Sequence, residues 1–294
     1  MAATATIPAR AFPARRPWNP WWARRLARNK LVLFGGSIVL VLVVAAVFAP
    51  LIAPHSPYQQ YTTDQLVGPS AAYPMGTDDL GRDVFSRVLF GARISIQVAA
   101  ISVAIGLLVG GALGLIAAYY GGAWDLIIMR FADILFAFPS LLLAIAVLAL
   151  LGPSLTNVMV AIGIIFIPIF VRVTRAAGLV IVQEPYVDAS RASGASPARI
   201  MLRHVLPNAL PPLLVQTTLA ISYAILAEAS LSFLGLGAQP PEPSWGSMLN
   251  AGRGFMVFAP WTAVAPGMAI FLAVLGFNIL GDGLRDVLDP RMKV

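Results

Sequence analysis

The chain has 294 residues, of which 59% are hydrophobic and 11% charged, under half of the roughly 25% charge typical of a soluble domain, so it is a membrane protein. It contains no cysteine, which excludes disulfides, thiolate nucleophiles and Cys-ligated zinc or iron–sulfur sites, and its two histidines, His55 and His204, are too few for a His-rich metal centre. The net charge of +7 comes without the basic, aromatic-studded soluble face that nucleic acid requires, so nucleic acid is excluded as a partner.

Crossing about 30 Å of hydrocarbon takes roughly 20 residues of helix. Apolar runs near that length occur at about Leu31 to Ala53, Ile94 to Tyr119, Ile134 to Leu151, Val158 to Ala177, Leu210 to Leu234 and Trp261 to Leu280. The runs are continuous rather than alternating, and lipid offers no partner to an open strand edge, so they predict an all-α integral membrane protein with six spans. The first run follows a basic stretch, as a signal peptide would. Its long preceding tail and the Pro50 after Ala49 instead predict a retained anchor helix.

Orientation follows from where Lys and Arg fall. Residues 1–30 carry Arg10, Arg15, Arg16, Arg24, Arg25, Arg28 and Lys30 with no acid, which predicts a cytoplasmic basic tail. Trp18, Trp21 and Trp22 would seat that tail on the anionic lipid of the inner leaflet. Alternation through six spans puts Arg130, Arg172, Arg175, Arg191, Arg199, Arg203, Arg285, Arg291 and Lys293 on the same side, with both termini cytoplasmic. Arg82, Arg87 and Arg253 fall outside, and Arg93 at a boundary. The expected organisation is a tail over 1–30, an anchor helix and an external, net acidic segment over 31–92, a core over 93–282, and a second cytoplasmic tail over 283–294.

Between the fourth and fifth spans, residues 183–208 predict a folded element. Pro185 and Asp188 suit a helix start, Gly194 its left-handed stop, and Ser196-Pro197 the cap and first turn of a second helix. Arg199 and Arg203 then share one face, with Ile200, Met201 and Val205 elsewhere. Either an ordinary loop or a docking element for a partner fits this pattern. Glu228 lies inside the fifth span, where a carboxyl either lines a polar path or hydrogen-bonds a neighbouring helix. Arg130 and Asp133, three apart, predict a local ion pair. Gly106, Gly110 and Gly114 form a smooth stripe for close helix packing or for sliding during gating. Pro139, Pro168 and Pro266 predict kinks in the third, fourth and sixth spans. His55 and His204 fall on opposite sides of the membrane and cannot share an ion, so no metal site is expected.

Three stretches in the right order resemble one family. Asp188-Ala189-Ser190, three residues, Gly194, then Leu206-Pro207 is similar to the "EAA" loop of permease subunits of ATP-binding-cassette importers. Asp188 stands for Glu, Ser190 for Ala, and His204 for the usual Ile. Residues 76–95, from Gly76-Thr77-Asp78-Asp79 to Arg93-Ile94-Ser95, resemble the segment before the second span in the dipeptide, oligopeptide and nickel permeases. Glu228 to Gly237, Pro240 to Gly246 and the ending Gly281 to Arg291 look like the "C" permease of that family.

The resemblance implies a type I importer permease fold and a bacterial inner-membrane location. It also implies a homologous "B" permease, two cytoplasmic ATPase subunits and an extracytoplasmic solute-binding protein as partners. Asp188, Ala189, Ser190, Gly194, Arg199, Arg203, His204, Leu206 and Pro207 would then form the ATPase-coupling loop, and Glu228 is the candidate for the translocation path. No Gly-x-x-x-x-Gly-Lys-Ser/Thr loop occurs, and the only lysines are Lys30 and Lys293. The chain therefore binds no cofactor of its own, ATP and magnesium residing on the ATPases, and it is not an enzyme. The expected function is half of an ATP-driven pathway for small peptides. An ion-coupled carrier centred on Glu228, or the same importer type carrying nickel chelates or glutathione, are the alternatives. A membrane-embedded enzyme lacks a Ser/His/Asp or metal set.

Overall fold

A computed structural model describes residues 25–288. The tail tryptophans, most of the tail arginines, Arg291 and Lys293 lie outside the described residues. Those described fold into α1 (Lys30–Val47), α2 (Ala49–Ile52), α3 (Val84–Tyr120), α4 (Gly122–Ala137), α5 (Ser140–Leu151), α6 (Leu155–Val182), α7 (Pro185–Ala192), α8 (Pro197–Ile200), α9 (Leu206–Phe233), α10 (Trp245–Gly252) and α11 (Trp261–Leu288). Among them there is no strand, only an isolated bridge between Thr77 and Asp83.

Five helices, α1, α3, α6, the run through α8 and α9, and α11, are long and apolar enough to cross a membrane. The sixth crossing is not one straight helix. α4 and α5 meet at 92°, because Pro139 cannot donate to the ladder and forces Phe138 into extended backbone, φ −92° and ψ 136°. Pro168 and Pro266, by contrast, sit inside the unbroken α6 and α11. Helix α3 begins ten residues before its apolar run, since Asp83 caps it by accepting from the Ser86 amide at 3.0 Å. Its 37 residues reach about 55 Å, well beyond a hydrocarbon core of about 30 Å.

α3 and α6 form the most extensive helix pair, and the glycine stripe is its seam. A Cβ on Gly106 would stand 2.5 Å from the Phe166 Cβ and one on Gly114 2.6 Å from the Val171 carbonyl oxygen. No side chain fits there, so the backbones touch. The anchor α1 lies along α11, where Gly35 and Gly276 allow the same approach. Helix α10 folds back into the bundle. Its Trp245 is fully buried, rests on Gly91 and donates Nε1–H to the Val88 carbonyl at 3.0 Å.

Candidate functional site

The 183–208 segment folds as its punctuation predicts. Pro185 opens α7, Gly194 ends it at φ +76°, a conformation open to glycine at no steric cost, and Ser196 caps α8 by accepting from the Arg199 amide at 3.4 Å. The segment has two sides. Val187, Ile200 and Val205 are fully buried against Leu115 and Tyr119 at the far end of α3, which fixes the element to the bundle through apolar contact. Asp188, Ala189, Arg191, Arg199, Arg203 and Pro207 are exposed, while Ser190, His204 and Leu206 are half-buried.

Polar contacts tie α7 to the start of α9. Ser190 Oγ lies 3.4 Å from His204 Nε2, and Asn208 Nδ2 donates to the Tyr186 hydroxyl at 3.3 Å and the His204 carbonyl at 2.7 Å. Asp188 pairs with Arg191 at 3.2 Å, whose guanidinium lies 5.2 Å from the centre of the Tyr119 ring. Arg199 and Arg203 make no ion pair with a described residue. The stretch between α8 and α9, Met201–Val205, is a π-turn, the Leu206 amide donating to the Met201 carbonyl five residues back.

Glu228 is fully buried. Ser95 of α3 donates to its Oε2 and Ser232 to its Oε1, both at 2.7 Å, so the carboxyl joins α9 to α3 inside this chain. Asp133 does not pair with Arg130. It accepts from Arg172 of α6 at 2.7 Å, and Arg172 also stacks on Phe136 at 4.2 Å. One turn on, Arg175 grips both oxygens of Asp125, with Nη2 at 2.7 Å from Oδ2. The i, i+3 spacing suggested a local pair, but Asp133 takes its partner from the neighbouring helix instead, through a single charge-assisted hydrogen bond from Arg172.

At the opposite end, residues 54–83 form a compact cap. Asp78 holds Arg82 at 2.7 Å and faces Arg87 at 3.6 Å, and Arg87 donates to the Pro57 carbonyl at 2.9 Å. Asp78 and Asp83 are buried, so much of the acidic excess expected on this surface points inward. Tyr73 donates to Asp64 at 2.7 Å, and that hydrogen bond pushes its phenol up to about 12. His55 packs on Tyr73, ring centres 5.0 Å apart, with Nδ1 3.7 Å from Asp83. It stands at the start of α3 and His204 beyond the end, the whole helix between them. No group of three His, Asp or Glu among the described residues could hold a metal ion.

An open cavity of about 740 Å³ lies near the 183–208 end between α6, α9 and α11. Ala177, Asn208, Gln216, Leu219 and Arg285 line it among apolar residues. Periodicity did not single out Gln216, because one amide does not interrupt the apolar run around it; Arg285, expected among the cytoplasmic arginines, sits in the last turn of α11.

Residues 110–294 match the family described as binding-protein-dependent transport system inner membrane component. Residues 17–69 match the N-terminal transmembrane domain of oligopeptide transport permease C. The chain is 48% identical over 282 residues to a dipeptide transport system permease protein, DppC, of Alkalihalophilus pseudofirmus, covering 96% of this chain and 92% of that one. It is 47% identical over 294 residues to a glutathione transport system permease protein, GsiD, of Pectobacterium atrosepticum, covering 99% and 97%. An Escherichia coli GsiD is 50% identical over 280 residues, covering 95% and 92%. Among solved structures, an inward-facing MetNI methionine ABC transporter chain shares the fold with a TM-score of 0.55 at 18% identity, covering 70% of this chain and 97% of that one. The chain belongs to the binding-protein-dependent transport system inner membrane component family, and is a non-catalytic, multi-pass inner-membrane permease subunit of an ATP-binding-cassette importer.

Proposed function

We propose that this chain forms half of the translocation pathway of an importer for short peptides, and that residues 183–208 receive the ATPase stroke. Its partners are a homologous B-type permease, two ATPase subunits that carry ATP and magnesium, and an extracytoplasmic solute-binding protein. The observation that carries the reading is the two-sidedness of the segment. Val187, Ile200 and Val205 anchor it on α3, while Asp188, Ala189, Arg191, Arg199 and Arg203 are left outward. A push on α7 is passed to α9 through the Ser190–His204 and Tyr186–Asn208 contacts. Counting the bent α4–α5 pair as one crossing supports the reading that 1–30, 183–208 and 283–294 share one side, the basic and therefore cytoplasmic one. Relatives named for dipeptides and for glutathione, itself a tripeptide, support short peptides as cargo. Glu228, held by Ser95 and Ser232, is read as a pin behind the pathway wall rather than as the coupling site of an ion-coupled carrier.

The test is uptake by the full complex in liposomes. Asp188→Arg and Gly194→Pro abolish ATP-dependent peptide uptake while the complex still assembles. Uptake driven by a proton gradient without ATP, or uptake indifferent to both substitutions, overturns the reading.

A further inference from the structure

One face of α9 is bare along its whole length. Asn208, Pro212, Gln216, Tyr223, Leu226 and Ser230 fall within a sector of about 80° at 100° per residue and extend over about 33 Å, close to the hydrocarbon thickness. All six are exposed or half-buried, whereas Ala220, Ala224, Ile225 and Glu228 on the other side of the helix are buried. A bare face of a spanning helix meets lipid, protein or water. Lipid accepts apolar groups, as on α11, where Val264, Met268 and Phe271 are exposed, and on α1, where Leu40, Val41 and Val44 are. The α9 face differs, because an amide or hydroxyl returns every seven or eight residues at Asn208, Gln216, Tyr223 and Ser230.

Two further observations fall on the same stripe. Its 208–219 half opens on the 740 Å³ cavity, with Arg285 across from it, and Gln216 makes no hydrogen bond to another described residue. Midway along, the Tyr223 hydroxyl meets Ser140 Oγ at 2.8 Å, and Ser140 is the first residue of α5 beyond the 92° break. The break leaves the last carbonyls of α4 without helical partners. Phe136 and Phe138 around it are 43% and 55% exposed, so this chain does not cover it. Irregular backbone at membrane depth persists only against protein or beside water.

We infer that the 208–230 stripe of α9, joined by the Tyr223–Ser140 pair to the break between α4 and α5, is this chain's wall of the water-filled path through which cargo moves. The inference rests on the importer reading and specifies its pathway. Amides and hydroxyls both donate and accept, so the wall matches the N–H and C=O of a peptide group and fixes no particular side chain or charge. It bends with α9, the helix that the 183–208 segment runs into.

The natural absence of cysteine makes the test direct. Single thiols are placed at Gln216→Cys, Tyr223→Cys and Ser230→Cys, with Met268→Cys and Leu40→Cys as lipid-facing controls. The full importer in liposomes is treated with a charged, membrane-impermeant methanethiosulfonate, and modification of this chain is followed by mass. A thiolate forms in water and not in hydrocarbon, so the three stripe positions react at least about tenfold faster than the controls. Control-like rates at all three, or reaction at Ser230→Cys alone, overturn the inference. Rates are read whether or not uptake occurs, so slow labelling with intact ATP-driven uptake removes this wall and leaves the importer reading standing.

Discussion

Two adjacent glycines on α3 provide an internally controlled test of how the bundle is held. A Cβ on Gly110 would collide with the Ile167 carbonyl oxygen and stand 2.8 Å from the Phe170 Cβ, whereas one on Gly111 would meet only Thr174 Oγ1 at 3.8 Å. Carbon atoms pack best at about 3.5–4.0 Å, so Gly110→Ala must part α3 and α6 by roughly 1 Å, and Gly111→Ala need not move anything. Both substitutions gain the same helix preference, roughly 0.5–1 kcal/mol, which cancels in the comparison. What remains is overpacking, about 1–3 kcal/mol, or roughly five- to 160-fold in the folded-to-unfolded ratio. Gly111→Ala therefore unfolds at or above the parent temperature and Gly110→Ala below it, in thermal melts of the intact complex under one buffer and detergent. Equal melting of the two alanines, or the reverse order, refutes close backbone contact as the basis of the α3–α6 seam.

Glu228→Ala strands the Ser95 and Ser232 hydroxyls and opens a void, lowering stability by about 2–4 kcal/mol. Glu228→Gln keeps the shape and an acceptor and lies within about 1.5 kcal/mol of the parent; identical melting of the two would contradict the pin. At Tyr73 the hydrogen bond to Asp64 raises the phenol from 10.0 to about 12, so its contribution is whole below pH 10 and is lost as pH rises through 12. Ultraviolet titration of tyrosinate finds a late-ionising transition near 12 that Asp64→Asn moves back towards 10; no change in the titration on that substitution removes the Asp64 contact as the cause.

The crossings and the 183–208 element were legible in the sequence because each carries its signal locally, in an unbroken apolar run or in a capping residue, a proline and a glycine at fixed offsets. Helix α4 was not, since Asp125, Arg130 and Asp133 interrupt its apolarity and moved the apparent start of the span to residue 134. The two carboxylates among them, Asp125 and Asp133, are explained only by Arg175 and Arg172, some forty to fifty residues later. Ser95 is likewise an unremarked serine until the fold brings it to Glu228 across 133 positions. The glycine stripe could be read, though not its partner helix. Pro139 announced a kink; that it would turn the helix through 92°, while Pro168 and Pro266 leave theirs continuous, depends on what packs beside each proline.

The π-turn at Met201–Val205 acts as a phase shifter between two helical registers. Ile200 and Val205 both point inward, although five residues along an ordinary α-helix would set them about 140° apart. The extra residue absorbed in the wide turn brings them into line, and the inward series resumes at Ala209 and Leu213. Winding the same residues as ordinary α-helix, with none removed, would rotate Ile200 and the elements before it by about 140° around the α9 axis. Asp188 and Ala189 would then face a different direction while every span stayed in place. The aim of the outward surface is thus set by one residue of surplus winding, independent of the chemistry of the residues it presents.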